Sequence, residues 1–393
     1  MDLKNLKLKY MIKLLLVLST LFYITLTSAK AEFSVDARSA ILIDYDSDKI
    51  LYDLNSELEI YPASMTKIMT SIVAFDLLLN NKISLDDKFL ISEKAWRMSQ
   101  SGYSSMFIMV NDEVSVADLL NGIIIASGND ACVALAEGIA GTEENFVEMM
   151  NEKAQEIGMI NSNFGNSSGI NNPDNFSTVK DIALMSKYLI KNYPNLYEIY
   201  AVKEFTWNRT GGDPISQPNR NGLLFKNIGA DGIKTGYLAV EKYSLASTIK
   251  KGNRRLIAVG SGFNTKASRT SESMKMLNWG FRNTVTYEVS KSDSTFYLLK
   301  TWLGVKNLIK AETKKNLYVT LNKKDSRYFK TILEYKGPIK APIKKGEKIG
   351  LLKLYKKDEL INTATLYAAE DVKKINFIKS LFTSLNYMIW GDV

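Results

Sequence analysis

The sequence predicts a chain of mixed α and β structure: a larger body, a small all-β domain after it, and an amphipathic helix at the end. Three observations carry this prediction. Period-two alternation and helical periodicity interchange up to Phe281. Beyond it the texture changes to short apolar runs punctuated by Lys, Asp and Gly, and the last segment returns to apolar steps of three and four residues. At 393 residues, with 46% apolar and 24% charged residues, the chain is long enough for two or three domains.

Residues 1–31 read as an export signal. Lys4, Lys7, Lys9 and Lys13 precede an apolar run over 14–27, and Ala29-Lys30-Ala31 supplies a small-x-small cleavage pattern, so the mature chain is expected to begin at Glu32. An uncleaved anchor is the weaker alternative, because the run is shorter than the ~20 residues a spanning helix needs. Either version puts the body outside the cytoplasmic membrane.

The body is expected over 32–283. "SAILIDY" (39–45) and "ILY" (50–52) read as strands joined by Ser47-Asp48-Lys49. From Pro62 the period changes, and Ile68, Ile72, Phe75 and Leu79 predict a helix of about four turns after Ala63. In "ADLLNGIIIASGNDACVALAEGIAG" (117–141) two apolar segments flank Ser127-Gly128-Asn129-Asp130, which predicts helix, short turn, helix. "SLASTIKK" (244–251) and "LIAVGSGF" (256–263) read as a hairpin turning at Lys251-Gly252-Asn253, and "ASRTSESMKMLNWGF" as a helix.

A small β-sandwich domain is expected over 284–371, where "GPIKAPIKKGEKIGLLKLY" predicts two strands around a Gly-containing turn. In the remaining segment, 372–393, Val372, Ile375, Ile378, Phe382, Leu385 and Ile389 share one helical stripe, with Lys373, Lys374 and Lys379 elsewhere and Trp390 near the end. That pattern predicts an amphipathic helix lying in a membrane interface; docking on the β domain is the alternative.

Charge is divided along the chain. Residues 284–393 hold 21 basic and 11 acidic residues, net +10, and residues 1–31 are net +4; the total of +9 therefore leaves −5 on 32–283. For an exported chain, an anionic membrane or wall surface is a more natural partner for the basic part than nucleic acid. The single cysteine, Cys132, excludes an internal disulfide. With no histidine in the chain, Ser-His-Asp and Cys-His hydrolases and the common Cys/His zinc sites are excluded.

A serine nucleophile here needs another base. Three triplets supply candidates: Ser64-Met65-Thr66-Lys67, Ser127-Gly128-Asn129 and Lys234-Thr235-Gly236. Singly they are weak, since Ser-x-x-Lys recurs at Ser177 and Ser247; the ordered set, each member in a fitting element, is specific. Three residues apart on a helix, Ser64 and Lys67 lie on one face, so the amine reaches the hydroxyl. Bringing a lysine pKa from about 10.4 to ~7 costs roughly 4 to 5 kcal/mol, which burial and a second cation, expected to be Lys234, would supply. Lys234 and Thr235 offer a cation and a hydroxyl to a substrate carboxylate, and Gly236 leaves a strand edge open to a substrate backbone. The N–H groups of Ser64 and Tyr237 are the expected oxyanion hole.

In this order the triplets resemble those of the serine penicillin-recognising enzymes. The resemblance is closer to the low-molecular-mass penicillin-binding proteins that act as D-alanyl-D-alanine carboxypeptidases, through "YPASMTKIMT", "IIASGNDACVALAE", "FSTVKDIALMSKYLI", "QPNRNGLL", "DGIKTGY" and "MLNWGF", covering about residues 36 to 283. It implies an α+β catalytic domain of the β-lactamase/transpeptidase type, with an antiparallel sheet flanked by helices and the nucleophile between two lobes. It further implies that Ser64 is acylated by the penultimate D-alanine carbonyl, that Lys67 is the general base and that Ser127 relays the proton to the leaving D-alanine. Asn129 would hold the peptide amide, and Arg269 would assist Lys234 and Thr235 on the carboxylate.

The implied substrates are peptidoglycan stem peptides ending in D-Ala-D-Ala, and β-lactam antibiotics would acylate the same serine; no metal or organic cofactor is implied. The implied location is the periplasmic face of the cytoplasmic membrane. The chain departs from the family where histidine is common, with Tyr237, Ser168 and Asn175-Phe176 in those places. A β-lactamase and a D,D-endopeptidase are the alternatives of the same fold, and a silent wall-binding protein is one of another class. No Glu-x-x-Leu-Asn loop lies between the second and third triplets, which argues against the first.

Overall fold

The computed structural model describes residues 33–391 together with Met11 and Lys13, so the expected signal segment and its cleavage site lie outside the described residues. The chain divides into two units, 1–35 and 36–393, and every element below belongs to the second.

The frame of the body is a five-stranded antiparallel sheet. β1 (Ser39–Asp44) and β2 (Ile50–Leu54) form the first hairpin. The helix expected after Ala63 opens as a 3₁₀ turn, Ala63–Thr66, and continues as α1 (Lys67–Leu79). The expected helix, turn, helix is α2 (Val116–Asn121), prolonged by a π turn over Gly122–Ala126, followed by α3 (Asn129–Ala140). The break is shorter than the sequence suggests: Asn129 and Asp130 already belong to α3, and only Ser127 and Gly128 stand outside the helices. α4 (Glu143–Ile157) and α5 (Val179–Asn192) follow. β3 (Ala230–Leu238), β4 (Lys242–Lys251) and β5 (Arg254–Phe263) then complete the sheet in the order β2-β1-β5-β4-β3, which leaves β3 at an edge. α6 (Lys266–Asn283) closes the body.

Both faces of this sheet are covered, which explains why "SAILID" is buried at every position. Ile41, Ile43, Ile257 and Val259 point into one large helical core with α1, α3 and α5. Leu42 and Leu256 point the other way, against Gly280 of α6; a β-carbon there would lie 2.8 Å and 2.7 Å from them, so the absent side chain lets α6 close on the sheet.

A second core belongs to the strands after α6, built from Leu299, Ile309, Leu352, Leu354 and Leu366 among others. β6 (Thr284–Ser290) pairs with β9 (Leu317–Asn322). β7 (Tyr297–Trp302), β8 (Leu308–Glu312), β10 (Phe329–Glu334), β11 (Lys348–Lys356) and β12 (Glu359–Ala368) form a sheet in the order β10-β11-β12-β8-β7, closed by Ile339–Lys340. The two strands expected in "GPIKAPIKKGEKIGLLKLY" do not pair with each other: Ile339–Lys340 runs parallel to β7, and β11 lies between β10 and β12.

The terminal helix, α7, spans Phe377–Trp390 and starts at Asn376, whose side chain caps the Lys379 N–H. It is shorter than the stripe read from Val372. Val372 is buried in the second core and bridges to Ile343, and the Ile375 N–H donates to the Leu303 carbonyl. α7 contains no buried residue; Tyr387 meets Trp302 edge to face at 5.0 Å.

A polar cluster joins the body to the β domain. The Asp44 carboxylate is fully buried and accepts from Arg254 Nε (2.9 Å), Thr286 Oγ1 (2.6 Å) and the Ser47 N–H (3.1 Å). Arg254 also donates to the Thr284 carbonyl at 2.8 Å. Removing one partner of a buried pair strands the other charge, at a cost of about 3 to 5 kcal/mol. Arg254→Met should therefore lower the denaturation midpoint clearly, followed by tryptophan fluorescence in urea. Lys356→Met, at the largely exposed pair with Glu359, should change stability by less than about 1 kcal/mol.

Candidate active site

The three triplets converge on one cleft of about 860 Å³. Ser64, Ser127, Thr235, Gly236, Tyr237 and Arg269 line it, while Lys67, Asn129 and Lys234 lie buried beneath, bonded to one another or to the lining hydroxyls.

The nucleophile turn is held under strain. Ala63 takes a left-handed φ of +49°, unusual for a residue with a β-carbon. Gly169 supports it from below: its own φ is +79°, and a β-carbon there would fall 2.0 Å from the Ala63 carbonyl oxygen. The turn places Ser64 Oγ 3.1 Å from Lys67 Nζ, the first residue of α1. Lys67 Nζ also donates to Asn129 Oδ1 (2.7 Å) and to the Ser168 carbonyl (2.8 Å). Three polar contacts thus fix an amine with no solvent access.

The second triplet is set by backbone geometry. Ser127 is left-handed (φ 65°, ψ 32°) between the π turn and α3, which brings its Oγ within 2.8 Å of Lys234 Nζ. Asp130, next on α3, accepts from Ser105 Oγ (2.6 Å) and from the N–H groups of Met106 (2.8 Å), Phe107 (2.8 Å) and Ile108 (3.2 Å). It thereby anchors the loop that forms one wall of the cleft. Tyr103 of that loop accepts from Asn171 Nδ2, and Gln217 Nε2 donates to the Ser105 carbonyl at 3.0 Å. Asn129 Nδ2 is buried and has no partner among the described residues, a donor left over for a ligand.

The third triplet lies on the edge strand β3, whose Gly236 packs directly on the nucleophile turn. A β-carbon at 236 would sit 3.0 Å from the Pro62 carbonyl oxygen and 3.2 Å from Ala63 Cβ, so only glycine lets strand and turn approach this closely.

Charge in the cleft is strongly positive. Burial lowers the Lys67 pKa to about 8, and the Arg220 guanidinium acts in the same direction, against Asp130. Lys234 is pushed well below its usual range, first by burial and then by Lys67 and Arg220. Arg220 is thus a further cation acting on Lys67, beside the expected Lys234, whose repulsion with Lys67 is mutual. Burial also holds the Cys132 thiol up at about 12, so it stays protonated. A neutral amine at Lys67 can take the Ser64 proton, and the surrounding cations favour an anionic ligand.

Two contributors escaped the sequence reading. Arg220 lies in "QPNRNGLL", a segment noted without a role for any of its residues. The Ser168 contribution is a backbone carbonyl, which no residue type announces, and its hydroxyl plays no part in the contact with Lys67. Asn175, another departure from the family pattern, holds its own loop, accepting from the Gly165 N–H (2.9 Å) and donating to Asn166 Oδ1 (3.0 Å).

Comparison with known proteins agrees with this geometry. Residues 25–265 match the family model described as D-alanyl-D-alanine carboxypeptidase, and residues 285–374 match the model of the penicillin-binding protein 5 C-terminal domain. The chain is 38% identical over 364 residues to the D-alanyl-D-alanine carboxypeptidase DacC of Escherichia coli (strain K12), covering 91% of this chain and 90% of that one. It is 38% identical over 352 residues to DacF of Bacillus subtilis (strain 168), covering 89% and 90%. Among solved structures, penicillin binding protein 5 from Haemophilus influenzae superposes with a TM-score of 0.79 at 37% identity, covering 88% of this chain and 99% of that one.

Proposed function

The chain belongs to the D-alanyl-D-alanine carboxypeptidase family and is a serine-type enzyme of that activity, acting on peptidoglycan peptides and binding β-lactams; on that premise we propose how its own residues carry the reaction. Ser64 attacks the penultimate D-alanine carbonyl while Lys67 takes the hydroxyl proton. The Oγ–C bond forms, and the oxyanion is held by the N–H groups of Ser64 and Tyr237. The C–N bond then breaks, and Ser127 relays the proton held by Lys67 to the departing D-alanine amine, which leaves Ser127 a hydroxyl and Lys67 neutral again. Water hydrolyses the ester with Lys67 again accepting a proton, and Ser64 is restored. Asn129 holds the peptide amide, and Lys234, Thr235 and Arg269 receive the terminal carboxylate.

One observation carries this reading: the Lys67 amine, fully buried and with its pKa lowered to about 8, lies 3.1 Å from the Ser64 hydroxyl. Lysine accepts a proton only when neutral, so acylation is lost as pH falls below the folded-state value and is fully expressed above it.

We propose further that the chain is exported and held at the periplasmic face of the cytoplasmic membrane by α7. Among the described residues no helix is long and apolar enough to cross a membrane. The apolar side chains of α7, Phe377, Phe382, Met388 and Trp390 among them, are exposed, which supports a helix lying in the interface over one packed on the β domain.

Fluorescent penicillin should form a stable adduct on Ser64 that Ser64→Ala abolishes, and a peptide ending in D-Ala-D-Ala should yield free D-alanine. Lys67→Met should slow acylation by about a thousandfold, and the wild-type rate should fall about tenfold per pH unit below about 8. Rapid turnover of the drug would instead indicate a β-lactamase. In sedimentation with vesicles of mixed anionic and zwitterionic phospholipid, the mature chain should pellet, and a chain ending at Asn376, which keeps Val372 in the second core, should stay in the supernatant. Equal pelleting of the two would exclude α7 as the anchor.

A further inference from the structure

The mechanism above uses Tyr237 only through its backbone and does not use Tyr243 at all, yet both rings line the cleft. The two residues stand directly opposite each other across β3 and β4, so their side chains rise from the same face of the sheet. Their ring centroids are 4.6 Å apart. The pairing of β4 with β5 slips between Tyr243 and Leu245, a bulge of the kind that redirects a side chain beside a site. The Tyr243 ring also carries the Arg269 guanidinium, whose central carbon lies 5.7 Å from the ring centroid.

Arg269 has little else to fix it. It projects from the first turn of α6, which a capping box between Thr265 and Ser268 anchors. Among the described residues its guanidinium makes one hydrogen bond, from Nη2 to the Arg220 carbonyl at 3.2 Å, and its buried Nε has no partner. A carboxylate placed beside Arg269 would also hold it, but would occupy the fork and cancel its charge. An aromatic face supports the guanidinium without consuming any N–H donor.

We propose that Tyr243 is a positioning residue for carboxylate recognition: braced by Tyr237, its ring holds the Arg269 guanidinium with its remaining N–H donors free for the substrate's terminal carboxylate. This rests on the reading that Arg269 receives that carboxylate.

The test compares second-order acylation by benzylpenicillin, which bears a carboxylate, with acylation by its methyl ester, which does not. Tyr243→Leu should slow benzylpenicillin about tenfold while leaving the ester rate within about twofold of wild type. Tyr243→Phe keeps the ring and should retain at least about half of the wild-type rate with both. Arg269→Ala should slow benzylpenicillin on the order of a hundredfold, again sparing the ester. If Arg269→Ala is selective and Tyr243→Leu is not, because it matches wild type or slows both probes equally, the positioning role is wrong and the carboxylate role of Arg269 stands. If Arg269→Ala spares benzylpenicillin, both fall together.

Discussion

A lysine amine shut away from water lies within hydrogen-bonding distance of a serine hydroxyl, and much of the body around it serves to keep that amine dry, held and short of protons. Lowering the Lys67 pKa from 10.5 to about 8 corresponds to roughly 3 kcal/mol of lost preference for the ammonium form. Burial is the larger cause and Arg220 a further one. Asn129 Oδ1 and the Ser168 carbonyl take up both N–H bonds of the neutral amine and leave its lone pair to the Ser64 hydroxyl, so a buried amine is tolerated without a carboxylate to neutralise it.

That arrangement needs elements far apart in sequence to meet within a few ångströms. A sheet covered on both faces supplies rigidity, and its free edge β3 places Lys234, Thr235 and Gly236 against the nucleophile turn. Asp130 ties the 105–108 loop to α3, so the wall of the cleft and the second triplet move as one piece. Backbone conformations that cost energy, at Ala63 and Ser127, occur where a side chain must be presented against ordinary helix geometry. Asp44 and Arg254 extend the same rigidity into the β domain.

Much of this was legible from residue order. Ser64 and Lys67 are one helical turn apart, and local spacing alone predicts their contact. The hairpins β1-β2 and β4-β5 show their turns in Ser47-Asp48-Lys49 and around Gly252. What stayed hidden depends on distant chain segments. Arg220 and the Ser168 carbonyl approach Lys67 only after the chain closes over α1, and neither belongs to a recognisable triplet as Lys234 does. The parallel pairing of Ile339–Lys340 with β7 has no turn to announce it. The start of α7 was misread because Val372 continues the helical stripe by spacing while its side chain fills the second core. An apolar periodicity does not say which neighbour buries it.

The account stands on the protonation state of one amine, which can be read without any substrate. Isotope-edited NMR of the Lys67 side chain, titrated in the folded protein, should give a midpoint at about 8, and Arg220→Gln should raise it. A Lys67 midpoint that stays above about 10, the range of an unperturbed lysine, would contradict the account, because Ser64 would then lack a base at neutral pH.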